Sequence, residues 1–314
     1  LTVPVADFRP ATPEQEEFLG GLVNAGYMIE SGVPGVYGRG DAFERVRLGF
    51  DAKVTEASEA ESPEHMVFPP LLPRRQMEDV GYLKSFPHLA CTVFSFEGDE
   101  AAAAEQEQHA EAHEDWSAHQ QMTDLVLKPA ACYPVYPAIA ARGPLAPGGV
   151  MVDAGGTYVF RHEPAGDPAR LQVFHQREIV RLGEPETVLA WRDTWRDRAV
   201  ELLRSVGIDA RPDVASDPFF GRSGRLLARS QKAQELKFEV LAPIAGPEPT
   251  AVASFNYHQD HFSAVYGIEV DAADRTAHTA CLGFGLERIT LALVHAHGLD
   301  QDRWPPAVLV ELGL

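Results

Sequence analysis

Hydrophobic and polar positions along the 314-residue chain follow two different periods. From Thr12-Pro13 to residue 30 an acidic and apolar run predicts a helix, with Thr12 and Pro13 suited to the cap and first position. Gly32, Pro34, Gly35, Gly38 and Gly40 come next, and Val36-Tyr37 among them predicts a turn before a short strand. A second helix is predicted from Gly40 to about Phe50. His65 to Pro73 reads as a strand that ends in prolines. Proline cannot donate to a ladder, so this is an edge or interface strand. After Gly81-Tyr82-Leu83-Lys84-Ser85-Phe86-Pro87 another strand runs through Phe96. Residues 97 to 121 are rich in Ala, Glu and His and read as a solvated helix or mobile segment, with His109, His113 and His119 at the surface. Val150 to Glu163 and Leu171 to Leu182 predict two strands. The turn-rich Pro164 to Arg170 joins them into an antiparallel hairpin. From Pro185 to Val206, Val188, Trp191, Trp195, Ala199 and Leu202 fall on one helical stripe. Strands near 249–256 and 262–271 lead to Thr279 through Leu293. There a short apolar run meets two glycines, a charged pair, and a helix apolar on nearly every side. The pattern predicts one α+β domain over 1–314, a large, mostly antiparallel sheet flanked by helices, with about 1–60 forming N-terminal helices and loops.

Charge and cysteine usage narrow the function classes. The formal net charge is −19, which argues against an extended nucleic-acid footprint, since that depends on Lys and Arg neutralising phosphates. No run of about 18 apolar residues occurs, so no membrane span is expected. Leu1 to Asp7 lacks the basic and apolar regions of a signal peptide, and a cytoplasmic protein is expected. Cys91, Cys132 and Cys281 are too widely spaced for a disulfide framework, and each could be a small buried hydrophobe. The segment 221–237 is locally basic, with Arg222, Arg225, Arg229, Lys232 and Lys237.

Side chains alternate across a strand, so Arg161 and Glu163 are expected on one face of the first hairpin strand. Phe174, Gln176 and Glu178 are expected on one face of the second. An Arg beside a carboxylate can be a plain cross-strand pair. The same guanidinium, carboxylate and aromatic also suit a nucleotide, as phosphate clamp, polar orienter and base platform. In the last stretch, Glu287 and Arg288 at the mouth of a buried helix need partners, because desolvating a charge costs several kcal/mol.

Arg161-His162-Glu163, a loop, and Phe174-His175-Gln176-Arg177-Glu178 resemble motif 2 of the class II aminoacyl-tRNA synthetases. Gly283-Phe284-Gly285-Leu286-Glu287-Arg288 resembles their motif 3. The His65 to Pro73 strand looks like motif 1, the dimer-forming element. Cys132, Glu178 and Cys281 sit where the atypical seryl-tRNA synthetases of methanogens, and their truncated relatives the amino acid:[carrier protein] ligases, hold an active-site zinc. Gly81 to Pro87, Gln234-Glu235-Leu236-Lys237-Phe238 and Ala253 to Phe262 resemble the ligases. The resemblance covers about residue 60 to the end.

The resemblance implies a class II synthetase-like catalytic domain that activates a small amino acid with ATP. The product would be an aminoacyl-adenylate, passed to the phosphopantetheine thiol of a carrier protein. It implies zinc on Cys132, Glu178 and Cys281, with an open position for the substrate amine, and magnesium on the phosphates. Arg161 would hold the substrate carboxylate against the α-phosphate, Arg288 the γ-phosphate, and Arg170 would lie near the triphosphate. Phe174 would stack on adenine, with Glu163, Lys237, Ser254, Asn256 and Glu287 also at the nucleotide. Arg161, Glu178 and Arg288 are the catalytic candidates. Cys132, Arg161, Glu178 and Cys281 are the amino-acid-binding ones. Relatives use glycine, alanine or serine, and Ser263 to Tyr266 depart from the Gly-Thr-Thr-Trp-like run of the glycine and alanine enzymes. A homodimer is expected. No tRNA is expected as acceptor, because no separate tRNA-binding domain is read before motif 1. A stand-alone aminoacyl-tRNA synthetase and a catalytically silent paralogue binding nucleotide or a regulatory partner are the alternatives.

Overall fold

A computed structural model describes residues 8–270 and 275–314. The stretch read above for a missing signal peptide (1–7) and the last position of the strand expected over 262–271 lie outside the described residues. The fold is built on a seven-stranded sheet. Its strands are β1 (Glu64–His65), β2 (Val150–Phe160), β3 (Val173–Gly183), β4 (Arg211–Val214), β5 (Lys237–Ala242), β6 (Thr250–Gln259) and β7 (His278–Gly285). Their order across the sheet is β1-β2-β3-β7-β6-β5-β4. Only the β1–β2 pairing is parallel among these strands. A three-stranded sheet of Leu71–Pro73, Thr92–Phe96 and Gln120–Leu127 stands beside it.

Period-two alternation divides the core between the two faces. Ile179 and Leu282 join one buried cluster, and their neighbours Val180 and Cys281 join the other. The first face is covered by α1 (Asp41–Ser58), α2 (Pro185–Ser205) and α4 (Leu286–His297). In α4 nearly every side chain from Leu286 to Val294 is buried, which is why its sequence shows no polar stripe. Arg177, pointing to this side of β3, bonds Asp51 at 2.8 Å, Thr55 at 3.0 Å and Asp153 at 2.5 Å, tying β3 to α1 and β2. No helix among the described residues is long and apolar enough to cross a membrane.

Several predicted boundaries move. The first helix spans Pro13–Asn24, capped by Thr12 with Gln15 reaching back, and does not continue to residue 30. Gly26 takes φ +73°, and Met28–Glu30 then pairs with Tyr37–Arg39. The expected strand 65–73 splits around Pro69 and Pro70 into β1 and Leu71–Pro73. The expected strand 262–271 is instead a helix, His261–Tyr266, ended by Gly267 at φ +68°, with a two-residue strand after it. Its apolar run is short enough to fit either form, and periodicity does not arbitrate there. The acidic segment forms the helix Glu100–Glu111, with no buried residue. The hairpin strands stop at Phe160 and resume at Val173, so Arg161 and Glu163 belong to the connecting loop.

Candidate active site

Four adjacent strands place chemistry in register on one face. Glu239 lies opposite Ser254, Ser254 opposite Gly283, and Gly283 opposite Glu178. The next row runs Lys237, Asn256, Cys281, Val180. Gly283 leaves space there. A β-carbon at that position would come within 2.9 Å of Gln176 Nε2 and 3.3 Å of Glu178 Cγ. Both side chains cross the space that Gly283 leaves.

This face floors a cavity of about 920 Å³. Cys132, Arg161, Glu163, Arg170, Phe174, Glu178, Lys237, Ser254, Asn256, Cys281 and Arg288 all line it. Glu287 does not line it. Its buried carboxylate accepts from Arg39 Nη1 at 2.8 Å and from the His175 backbone N–H at 2.7 Å, and meets His175 Nδ1 at 2.8 Å. Its partners lie on the opposite side of β3 from the cavity, so its assignment to the nucleotide gives way to a joint between the Tyr37–Arg39 strand, β3 and α4.

At one end of the cavity Arg288 and Arg161 are held by backbone carbonyls, and Arg170 and Lys237 by carboxylates. Arg288 donates from Nε to the Ala169 carbonyl at 2.7 Å and from Nη1 to the Ala251 carbonyl at 3.0 Å. Arg161 donates to the Pro129 carbonyl at 3.0 Å, and its guanidinium lies 5.5 Å from the centre of the Phe174 ring. Glu163 pairs with Arg170 at 2.6 Å. Burial pushes the Glu163 carboxyl up, but Arg161, Arg170 and Arg288 outweigh it and hold the group below the usual range. Lys237 is buried between Asp217 at 2.6 Å and Glu239 at 3.1 Å. Burial alone would lower its ammonium; the two carboxylates raise it instead.

The other end gathers Cys132, Glu178 and Cys281. All three are buried, and their ligand atoms lie within 4.8 Å of one another. The Cys132 backbone N–H donates to Glu178 at 2.5 Å. Burial raises the Glu178 carboxyl above its ordinary range. The hydrogen bond with Cys132, together with burial, drives the Cys281 thiol well up. The Cys132 thiol is drawn down by its bond to Cys281 but ends above its ordinary value through burial and the Glu178 charge. Two sulfurs and one carboxylate, converging and shielded, are a donor set that suits zinc. Burial favours the protonated forms of these groups and a metal takes the ionised ones, so a divalent ion would bind with release of protons.

Further cavity residues carry no short motif. Asp217 bonds Gln231 at 2.8 Å as well as Lys237, and so ties α3 (Gly221–Ala233) across the opening. The buried Lys237 was the only sequence signal for such a partner. Asn256 donates to Cys281 Sγ at 3.6 Å and therefore reaches the Cys132, Glu178 and Cys281 cluster. His258 Nε2 lies 3.5 Å from the same sulfur, and its Nδ1 is 3.0 Å from Thr279 Oγ1. Burial and the neighbouring His261 hold this imidazole neutral, its pKa down to about 3.

Known proteins with similar sequences and folds fit this geometry. The chain is 45% identical over 284 residues to amino acid–[acyl-carrier-protein] ligase 1 of Bradyrhizobium diazoefficiens, covering 90% of this chain and 86% of that protein. It is 44% identical over 305 residues to ligase 2 of the same organism, covering 97% and 90%. A type-2 serine–tRNA ligase of Methanococcus aeolicus is 30% identical over 200 residues, 60% of this chain and 37% of the relative. Among solved structures, the M. kandleri seryl-tRNA synthetase bound to A. aeolicus tRNASec gives a TM-score of 0.77 at 18% identity, over 99% of this chain and 62% of that one. The Pyrococcus horikoshii seryl-tRNA synthetase complexed with ATP gives 0.67 at 16% identity, over 95% and 62%. The chain thus spans under two thirds of those synthetases and shares their class II fold. No protein-family profile matches it.

Proposed function

The chain belongs to the amino acid–[acyl-carrier-protein] ligases, and from that premise we propose that it activates a small amino acid with ATP and transfers it to the phosphopantetheine thiol of a carrier protein. The observation that carries this reading is the single cavity joining the Cys132, Glu178 and Cys281 cluster to Arg161, Phe174 and Arg288.

Adenine stacks on Phe174, with Ser254 on the cavity floor beside the nucleotide. Glu163 orients Arg170 toward the triphosphate. Arg288 meets the γ-phosphate, and Lys237, its charge balanced by Asp217 and Glu239, faces the nucleotide as a hydrogen-bond donor. Arg161 brings the substrate carboxylate to the α-phosphate. A carboxylate oxygen attacks the α-phosphorus, the bond to the bridging oxygen breaks, and pyrophosphate leaves; magnesium bound with ATP would supply further charge neutralisation on the phosphates. The protein's part in this displacement is alignment and charge neutralisation. The carrier thiolate then attacks the acyl carbon and AMP departs. Cys132, Glu178 and Cys281 would hold zinc, which when bound supplies a Lewis-acidic site for a neutral α-amine. Those three residues thereby exclude N-blocked acids and hydroxy acids.

The carrier is the acceptor in this reading, with tRNA disfavoured by the acidic chain. Helix α3, whose Leu227 and Gln231 line the cavity, carries the exposed basic side chains Arg222, Arg225, Arg229 and Lys232, which suit an acidic partner. Exposed Val67, Phe94, Met122 and Leu125 near the motif 1 region support a homodimer. The test is amino-acid-dependent pyrophosphate exchange across the amino acids, followed by carrier loading. Exchange with glycine, alanine or serine and a thioester on the carrier are expected. Charging of tRNA with no carrier loading would overturn the acceptor, and no exchange in zinc-replete protein would overturn the activity.

A further inference from the structure

Lys128 takes no part in the chemistry described, yet its side chain is completely buried. Its Nζ donates to Thr157 Oγ1 at 3.0 Å, and among the described residues it has no ion-pair partner within salt-bridge distance. A buried ammonium with one neutral hydrogen bond is costly unless charge nearby offsets it. Glu178 and Cys132 are the two groups whose negative charge, when ionised, bears on it.

The backbone fixes Lys128 beside the metal-ligand cluster. Its N–H donates to the Pro70 carbonyl at 3.0 Å, and its carbonyl accepts from Phe160 at 2.8 Å. Thr157, which holds the ammonium, is opposite Gln176 in the β2–β3 ladder. Gln176 in turn accepts from the Ala131 backbone N–H at 3.3 Å, one residue before Cys132. Lys128, Thr157, Gln176 and Cys132 therefore form one short connected frame.

Charge counting gives this frame a purpose. Two thiolates and a carboxylate carry three negative charges, and a divalent ion leaves one uncompensated in a buried site. His258 is neutral and does not supply the missing charge. Arg161 also acts on Glu178, but its guanidinium borders the cavity, where the substrate carboxylate and α-phosphate claim it.

We propose that Lys128 is the fixed countercharge of the Cys132–Glu178–Cys281 centre, a positioning residue that lets three anionic ligands hold a divalent ion without net buried charge. The inference rests on the metal reading above. Burial lowers the Lys128 ammonium to about 8, and Glu178 and Cys132 oppose that fall when they are ionised. Full ionisation of the ligands on metal binding strengthens that opposition and keeps the ammonium charged.

The test is zinc affinity, measured on the whole protein by competition with a chromophoric chelator. Lys128→Gln removes the charge and retains a group able to bond Thr157. Its zinc affinity is expected to fall roughly 10- to 100-fold, the usual effect of losing a residue that supports metal ligands. Thr157→Val keeps the charge and loses only the hydrogen bond, so its loss is expected to be smaller. Lys128→Arg is expected to hold zinc more tightly than Lys128→Gln, and gives the charge test if the Gln variant does not fold. The sulfur-to-metal absorption bands of cobalt-substituted protein should shift in Lys128→Gln and not in Thr157→Val. Wild-type zinc affinity in Lys128→Gln, or equal losses in the Arg and Gln variants, would overturn the countercharge. A wild-type protein that takes up no zinc would overturn the metal reading instead, so the two failures are distinguishable.

Discussion

Glu287 distinguishes two readings of the motif 3 helix. As a nucleotide ligand, Glu287→Gln should raise the KM for ATP and leave the fold alone. As the joint seen here, the same change should unfold the protein more easily. The carboxylate is 1% exposed and takes contacts from Arg39 and from both the ring and the backbone N–H of His175. Gln keeps one acceptor oxygen, removes the charge, and turns an amide donor toward groups that already donate. Losing one side of a buried ion pair costs about 3–5 kcal/mol. The lower end applies, because Arg39 keeps Glu44 at 2.7 Å. At roughly 2 °C per kcal/mol for a chain of this size, a loss of about 3 kcal/mol lowers the melting temperature by roughly 6 °C. Thermal melting and pyrophosphate exchange, run on the same preparation below the transition, separate the outcomes. We expect the lower melting temperature with a near-wild-type KM for ATP. An unchanged melting temperature with a raised KM would refute the structural role.

Two further outcomes follow from the site. Asp217→Asn should weaken the clamp between Lys237 and α3, at a cost of about 1–3 kcal/mol after allowance for partial exposure of the carboxylate. Limited proteolysis should then cut 217–233 faster than in wild type, and an unchanged cleavage rate would sink the clamp. The second concerns pH. Cys132, Cys281 and Glu178 all have values raised in the metal-free fold. They support that fold below their unfolded values, and the support is lost as pH rises through the folded values. Zinc takes the deprotonated forms, so the rise in melting temperature on adding zinc should grow with pH. A zinc-induced rise that is flat between about pH 6 and 9 would contradict proton-linked binding at these ligands.

Much of this site was legible because strand alternation is a strong constraint. Phe174, Gln176 and Glu178 share the cavity face by period two alone. The ladder register extends that face to Ser254, Asn256 and Cys281. What escaped the sequence depends on loops and on partners distant along the chain. Asp217 sits in a loop with no motif, and its meaning comes from Lys237, which lies beyond α3. Arg161 and Glu163 reach the cavity from the loop after β2, so strand alternation does not explain their shared direction. The helix His261–Tyr266 was misread because its short apolar run fits either period, and Gly267 ends it too soon for a stripe to show.

The same geometry explains why Glu287 and Arg288, adjacent in the sequence, serve different ends. Successive helical residues point about 100° apart. At the start of α4 that rotation carries Glu287 toward Arg39 and His175, and Arg288 toward the Ala169 and Ala251 carbonyls at the cavity wall. The first residue fixes the helix start against β3, and the second projects from that fixed point to the cavity wall. Position 287 therefore acts on the stability of the helix start, while position 288 faces the cavity. A motif read as a linear string assigns both residues to the ligand, whereas the helical turn carries one to a buried joint and the other to the cavity.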